Sequence, residues 1–189
     1  MHTAPLPDLR RDPRPDLRRQ PTLVGPRLRV RPVEDNDWQA LYAIAQDPLL
    51  WAQHPERERY QEPVFRAFFR EALDCGGGLV VLEADSGRVV GSSRFVWDDE
   101  PAGILEIGWS FLARELWGTG RNTELKRLML DHAFTFAQRV RFYVGPENWR
   151  SRGAMTKLGA QDLGLGLNPA GQPSQVFEFD AAGWGQVRA

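Results

Sequence analysis

The sequence predicts an α+β (mixed α/β) domain built on a central, mostly antiparallel sheet flanked by helices. Two observations carry that expectation. Leu79 to Ala84 and Arg88 to Trp97 flank Asp85-Ser86-Gly87, the pattern of an antiparallel hairpin. Further on, a strand over 104–112 runs through a glycine-containing loop, 113–120, into the longest helical stretch, about 121–138, followed by strand 140–144 and helix 148–158. A meander followed by strand-helix-strand-helix gives a mixed sheet with helices on its faces.

The remaining elements follow in order. Arg27 to Val33 sets Leu28, Val30 and Pro32 against Arg27, Arg29 and Arg31, a strand with one solvated face. Asp35 can cap a helix in which Trp38, Leu41, Tyr42 and Ala45 recur at helical spacing, until Asp47-Pro48 stops it. Residues 48–61 are irregular. Pro63 suits the first turn of a second helix carrying Phe65, Phe68, Phe69 and Leu73 on one stripe and ending at Gly76-Gly77-Gly78. Asp98 to Gly103 reads as a turn before strand 104–112. Leu125, Leu128, Met129, His132, Ala133 and Phe136 share a face of the long helix, and Gly159 can close the helix over 148–158. A last strand is expected over 176–179.

Composition narrows the function classes. The chain has 189 residues, 42% hydrophobic and 26% charged, with a net charge of -1, which fits one globular domain and argues against a general nucleic-acid binder. The single cysteine, Cys75, and three scattered histidines argue against disulfide and metal chemistry. No apolar run reaches membrane-spanning length and no signal-peptide core is present, so the expected location is cytoplasmic and no membrane partner is expected. Residues 1–26 hold six of the 14 prolines and almost no large apolar side chains, and are expected to be a disordered tail ahead of one domain over 27–189. Within the tail Pro7-Asp8-Leu9-Arg10-Arg11 recurs as Pro15-Asp16-Leu17-Arg18-Arg19.

The chemistry concentrates in Leu105 to Glu124. Gly118 and Gly120 allow a tight turn and close approach of a ligand, and the helix that follows presents unpaired N–H groups and a positive dipole end, a place for phosphate. The lysine of a P-loop and the third glycine of a dinucleotide loop are both absent. Glu106 is expected on the strand face shared with Gly108 and Ser110, where a carboxylate could take a proton from an ammonium.

Trp117-Gly118-Thr119-Gly120-Arg121-Asn122-Thr123-Glu124, preceded by Glu106-Ile107-Gly108 and followed by Asn148-Trp149-Arg150-Ser151-Arg152 and Lys157-Leu158-Gly159-Ala160, resembles the GNAT acetyltransferase superfamily. Within it the pattern is similar to the branch containing the ribosomal-protein amino-terminal acetyltransferases. The resemblance implies two neighbouring parallel strands, 104–112 and 140–144, that splay apart to admit acetyl-CoA as co-substrate. It implies that pyrophosphate sits on Trp117, Gly118, Thr119, Gly120, Arg121 and Asn122, with Arg114 and Arg121 as flanking cations. Pantetheine would meet the backbone of Phe111 and Leu112 and the amide of Asn148. Many members carry a tyrosine where this chain has Met155; in this branch Ser151 fits the serine that can face the sulfur. The implied activity is acetyl transfer to a primary amine by direct attack, with Glu106 as base and Ser151 stabilising the thiolate. A CoA-binding or partner-binding member without catalysis is the competing reading. Dimers are common in the family, so a homodimer is an expectation.

Overall fold

The computed structural model describes residues 16–188; the first copy of the repeat lies outside them. Eight strands form one sheet, in spatial order β1(Leu23–Val24), β2(Leu28–Pro32), β3(Gly78–Glu83), β4(Val89–Asp99), β5(Ile104–Leu112), β6(Arg139–Val144), β8(Pro173–Asp180) and β7(Gln161–Leu167). Every neighbouring pair is antiparallel except β5 with β6. Helices α1(Trp38–Ala45) and α2(Glu62–Asp74) cover one face, and α3(Arg121–Ala133), α4(Trp149–Leu158) and α5(Ala181–Arg188) pack on the other.

Two buried clusters hold the layers. Leu41, Ala45, Phe65, Phe68 and Phe69 meet Val80 and Phe111 of the sheet under α1 and α2. Leu125, Met129, Leu130 and Ala133 of α3 meet Val30, Val81, Phe95, Leu105, Ile107, Val140 and Phe142 on the opposite face. At roughly 1.5–3 kcal/mol per fully buried large side chain, these stripes dominate the folding energy.

The stop at Gly159 stands as expected, whereas Asp35, expected to cap α1, lies inside the short turn Asp35–Asp37 ahead of it. Gly159 adopts the left-handed conformation, φ 88, and closes α4. Asn148 caps the same helix through Oδ1, which accepts the amide of Ser151 at 3.2 Å. Helix α3 stops at Ala133, short of the expected 138, because the chain turns there: the amides of Phe136 and Ala137 both donate to the Ala133 carbonyl.

Of the stretch expected to be a disordered tail, residues 1–15 lie outside the described residues. Residues 16–26 lie on the domain: Leu23–Val24 pairs with β2, Asp16 accepts the Trp97 indole N–H at 3.0 Å, and Arg19 donates to the Cys75 carbonyl. Arg18 stacks its guanidinium on Trp97 and Phe136, and its carbonyl meets His132 Nε2 at 2.6 Å. These contacts are polar and cationic, so a hydrophobicity argument does not register them.

Candidate active site

Strands β5 and β6 pair only where Ile104–Glu106 faces Arg139–Arg141. Both strands continue, to Leu112 and Val144, and beyond Glu106 a wedge opens between them. Its origin lies on the other edge of β5. Gly108 faces Arg94 and Phe111 faces Ser92, so Trp109 and Ser110 together oppose Ser93. This is a β-bulge, and it bends the strand away from β6. Trp109 has φ 53, the one positive φ at a non-glycine among the described residues. Holding it there costs on the order of 1–3 kcal/mol.

The bulge also exchanges faces. Leu105 and Ile107 belong to the cluster under α3, so Glu106 and Gly108 point to the face of α1 and α2. After Trp109 the alternation reverses: Phe111 joins the α1–α2 cluster, and Ser110 Oγ turns to α3, where Lys126 Nζ donates to it at 2.5 Å. The expectation that Glu106, Gly108 and Ser110 share one face is therefore corrected, because one extra residue shifts a period of two.

Glu106 is buried, its carboxyl folded back over Gly108, where a Cβ would come within 2.7 Å of Oε1. Burial, reinforced by the negative charge of Asp98, pushes its carboxyl up to about 8. Its neighbours on this face are tied to one another. Arg141 donates to Glu178 at 2.7 Å and to Asp98 at 3.1 Å, and the Tyr143 hydroxyl donates to Asp98 at 2.8 Å. Asp98, read as part of an acidic turn, is the inward-facing end of β4. His54, in the segment between α1 and α2, is driven down to about 3 by burial beside Arg59 and Arg150, so it stays neutral.

The glycine loop follows β5. Arg114–Leu116 makes a 3-10 turn, Gly118 and Gly120 take φ 76 and 82, and α3 begins at Arg121. The first intrahelical bond is Glu124 N–H to the Gly120 carbonyl, which leaves the amides of Arg121, Asn122 and Thr123 without helical partners. Thr119 is less free than expected: its amide and hydroxyl both go to the Leu116 carbonyl. Trp117 is a brace, its indole donating to the Leu112 carbonyl at 3.1 Å while Arg150 lies 3.6 Å over its ring. Arg114 pairs with Asp47. The cation that does approach the loop is Arg27, which donates to the Thr119 carbonyl and to Glu124, whose other oxygen accepts the amides of Arg27 and Leu28.

Along the wedge, the Ala113 amide donates to the Val90 carbonyl directly opposite, so Phe111, two residues earlier, also directs its backbone to β4. Leu112 alternates with them and presents its amide to the wedge. Of the two amides expected here, only that of Leu112 faces the open side. At the start of α4, Asn148 is buried, and its Nδ2 has no hydrogen-bond partner among the described residues. Ser151 stands in the first turn, half-buried, and Met155 is buried in the core.

A mixed sheet with one splayed parallel pair, a bulge before the splay, and a glycine loop feeding a helix defines the GNAT class of acyltransferase fold. The acetyltransferase (GNAT) domain model matches residues 27–161, and the chain belongs to that family. Solved structures of the same fold include a GCN5-related N-acetyltransferase from Brucella melitensis, with 18% identity and a TM-score of 0.77 over 89% of this chain and 82% of that one. An acetyltransferase from Agrobacterium tumefaciens matches with 21% identity, a TM-score of 0.69 and coverage of 84% and 94%. Mycobacterium smegmatis RimJ, solved with CoA-disulfide, matches with 21% identity, a TM-score of 0.66 and coverage of 87% and 90%.

Proposed function

We propose that this acetyltransferase moves the acetyl group of acetyl-CoA to a primary amine, a protein amino terminus or a small amine, by direct attack. The observation that carries the reading is Glu106, a buried carboxyl without an ion-pair partner among the described residues, at the point where β5 and β6 part.

The residues present fit the co-substrate. The unpaired amides of Arg121, Asn122 and Thr123, with the helix dipole and Arg27 beside them, suit a pyrophosphate; Gly118 and Gly120 let the backbone approach it. The Asn148 Nδ2 suits a polar atom of pantetheine. Acetyl-CoA supplies the thioester carbonyl on which an amine can act. Glu106, once ionised, takes a proton from the acceptor's ammonium so that the neutral amine can attack, and its carboxyl is held close to neutral pH, where a general base is most effective. The Leu112 amide polarises the carbonyl oxygen, and a hydroxyl beside the opening, that of Ser151 or of Ser110, hydrogen-bonds the sulfur as it leaves.

The test is thiol release from acetyl-CoA with a panel of amines and amino-terminal peptides, alongside thermal shift with CoA. Amine-dependent release that is lost in Glu106→Gln supports the reading. Stabilisation by CoA with no amine raising thiol release, and Glu106→Gln indistinguishable from wild type, would instead favour a CoA-binding protein without catalysis.

A further inference from the structure

Lys126 projects from α3 into an otherwise apolar layer. Leu125, Met129, Leu130 and Ala133 of the same helix are all buried among aliphatic and aromatic side chains, and Lys126 is itself only 4% exposed. Its Nζ donates to Ser110 Oγ at 2.5 Å on β5 and stands 5.3 Å from the ring of Phe142 on β6. It therefore reaches both strands of the wedge from beneath. Ser110 Oγ is held in turn by Ser93 Oγ at 2.7 Å. Burial alone depresses the Lys126 amine, to about 7, and no carboxylate contributes.

A leucine or methionine at this position would be cheaper, since a buried ammonium lacking a counter-charge costs several kcal/mol. A cation at the base of a wedge, with a hydroxyl relaying it towards the opening, is suited to a negative charge that exists only during the reaction. Ser110 is exposed, and besides its contacts with Ser93 and Lys126 its hydroxyl donates to the Gly108 carbonyl at 3.2 Å, a bond it exchanges when it turns to a ligand in the wedge. Ser151 has no such support: its hydroxyl makes no hydrogen bond to a charged group among the described residues.

Resting on the acetyl-transfer reading above, the geometry points to Ser110 and Lys126 as the anion hole for the leaving sulfur, Ser110 by direct hydrogen bond and Lys126 as a positioning residue behind it. As the bond between acceptor nitrogen and carbonyl carbon forms, the carbon–sulfur bond breaks and its electron pair stays on sulfur. The Ser110 hydroxyl turns its proton from the Gly108 carbonyl to that sulfur, while its oxygen keeps the Lys126 ammonium hydrogen bond. Glu106 has by then taken the ammonium proton; the second proton, shed by nitrogen as the amide forms, passes to water, and the thiolate takes up a proton from water on release.

The test uses the full chain with CoA and desulfo-CoA as probes, read by calorimetry and by ultraviolet thiolate absorbance at neutral pH. Wild type is expected to hold CoA as the thiolate, because a neighbouring ammonium lowers a thiol pKa. Lys126→Met should abolish the thiolate band, and both Lys126→Met and Ser110→Ala should reduce the preference for CoA over desulfo-CoA about tenfold. Ser110→Ala alters an exposed residue and carries the test if Lys126→Met does not fold. An unchanged band in Lys126→Met, or an unchanged preference in Ser110→Ala, overturns the proposal while leaving acetyl transfer intact. Failure of wild type to bind CoA overturns the acetyl-transfer reading as well.

Discussion

Glu106 and Arg141 are direct partners in the parallel pairing of β5 and β6, yet they form no ion pair. Arg141 spends its guanidinium on Glu178 and Asp98, so the cation that faces Glu106 across the pairing is already engaged. Glu106 is left with burial and a negative neighbour, and so holds a proton up to about pH 8.

Activity should accordingly rise with pH and level off above about 8. Glu106→Gln should lower kcat by roughly 100-fold or more, measured by thiol release across pH. The same substitution has a stability signature of defined sign. The folded carboxyl binds its proton more tightly than the unfolded one, so wild type loses stability as pH rises from 4.5 to about 8. Glu106→Gln removes that loss: it should stabilise by a few kcal/mol above pH 8 and by little below pH 4.5, in denaturant titrations at both extremes.

Asp98→Asn should move the pH midpoint of activity downward. It removes the negative charge that raises Glu106 and frees Arg141 to approach it. The shift is expected to be smaller than the whole displacement of Glu106, because burial is the larger cause. A midpoint that stays in place or rises in the pH–rate profile would count against this account.

The brace from β2 to the glycine loop should be felt in binding. Glu124→Ala strips the acceptor from the amides of Arg27 and Leu28 and from the Arg27 guanidinium. A loss of about 1–3 kcal/mol in stability is expected, together with weaker CoA binding as the loop loses its support; thermal unfolding and calorimetry check the two.

Gly118→Ala meets no atom within 4 Å, so its cost is conformational alone, at φ 76. About 1 kcal/mol is expected. If the loop amides hold the pyrophosphate, the relaxation of φ should weaken CoA binding more than it lowers the melting temperature; equal effects would point to a loop that is only structural.

Lys126→Met should stabilise the protein most on the acid side. The folded amine has its pKa depressed to about 7 from 10.5, so the burial penalty is complete below 7 and fades as pH rises towards 10.5. Ser110, Ser93 and Phe142 face this group and none of them is charged. Melting temperatures at pH 6 and pH 10 should show the larger gain at pH 6.

What the sequence disclosed was local. The hairpin at Asp85-Ser86-Gly87, the glycine loop and the stop at Gly159 are each specified within a few residues, and each stands where expected. What it concealed depends on distant partners. Strand β7 interleaves Leu163, Leu165 and Leu167 with two glycines and leaves the leucines exposed, so no apolar-in pattern marks it. Helix α5 contains two glycines of its own and is held by Trp184, which meets Phe179 edge to face and donates to Asp131 across 53 residues. Arg27 at the loop and Arg141 between two carboxylates are likewise pairings that no spacing rule contains. The reversal at Trp109 is the most consequential, since nothing in Gly108-Trp109-Ser110 announces a left-handed tryptophan.

That single extra residue gives β5 two working sides. Glu106 looks out beneath α1 and α2, whereas Ser110 and the glycine loop look towards α3, so on the proposed acetyl-transfer reading acceptor and donor would have separate approaches to a shared opening in the sheet. Neither has to depart before the other arrives. The kinetic expectation is a ternary complex, with double-reciprocal lines that intersect when both concentrations are varied, and product inhibition by CoA that leaves access for the acceptor unblocked.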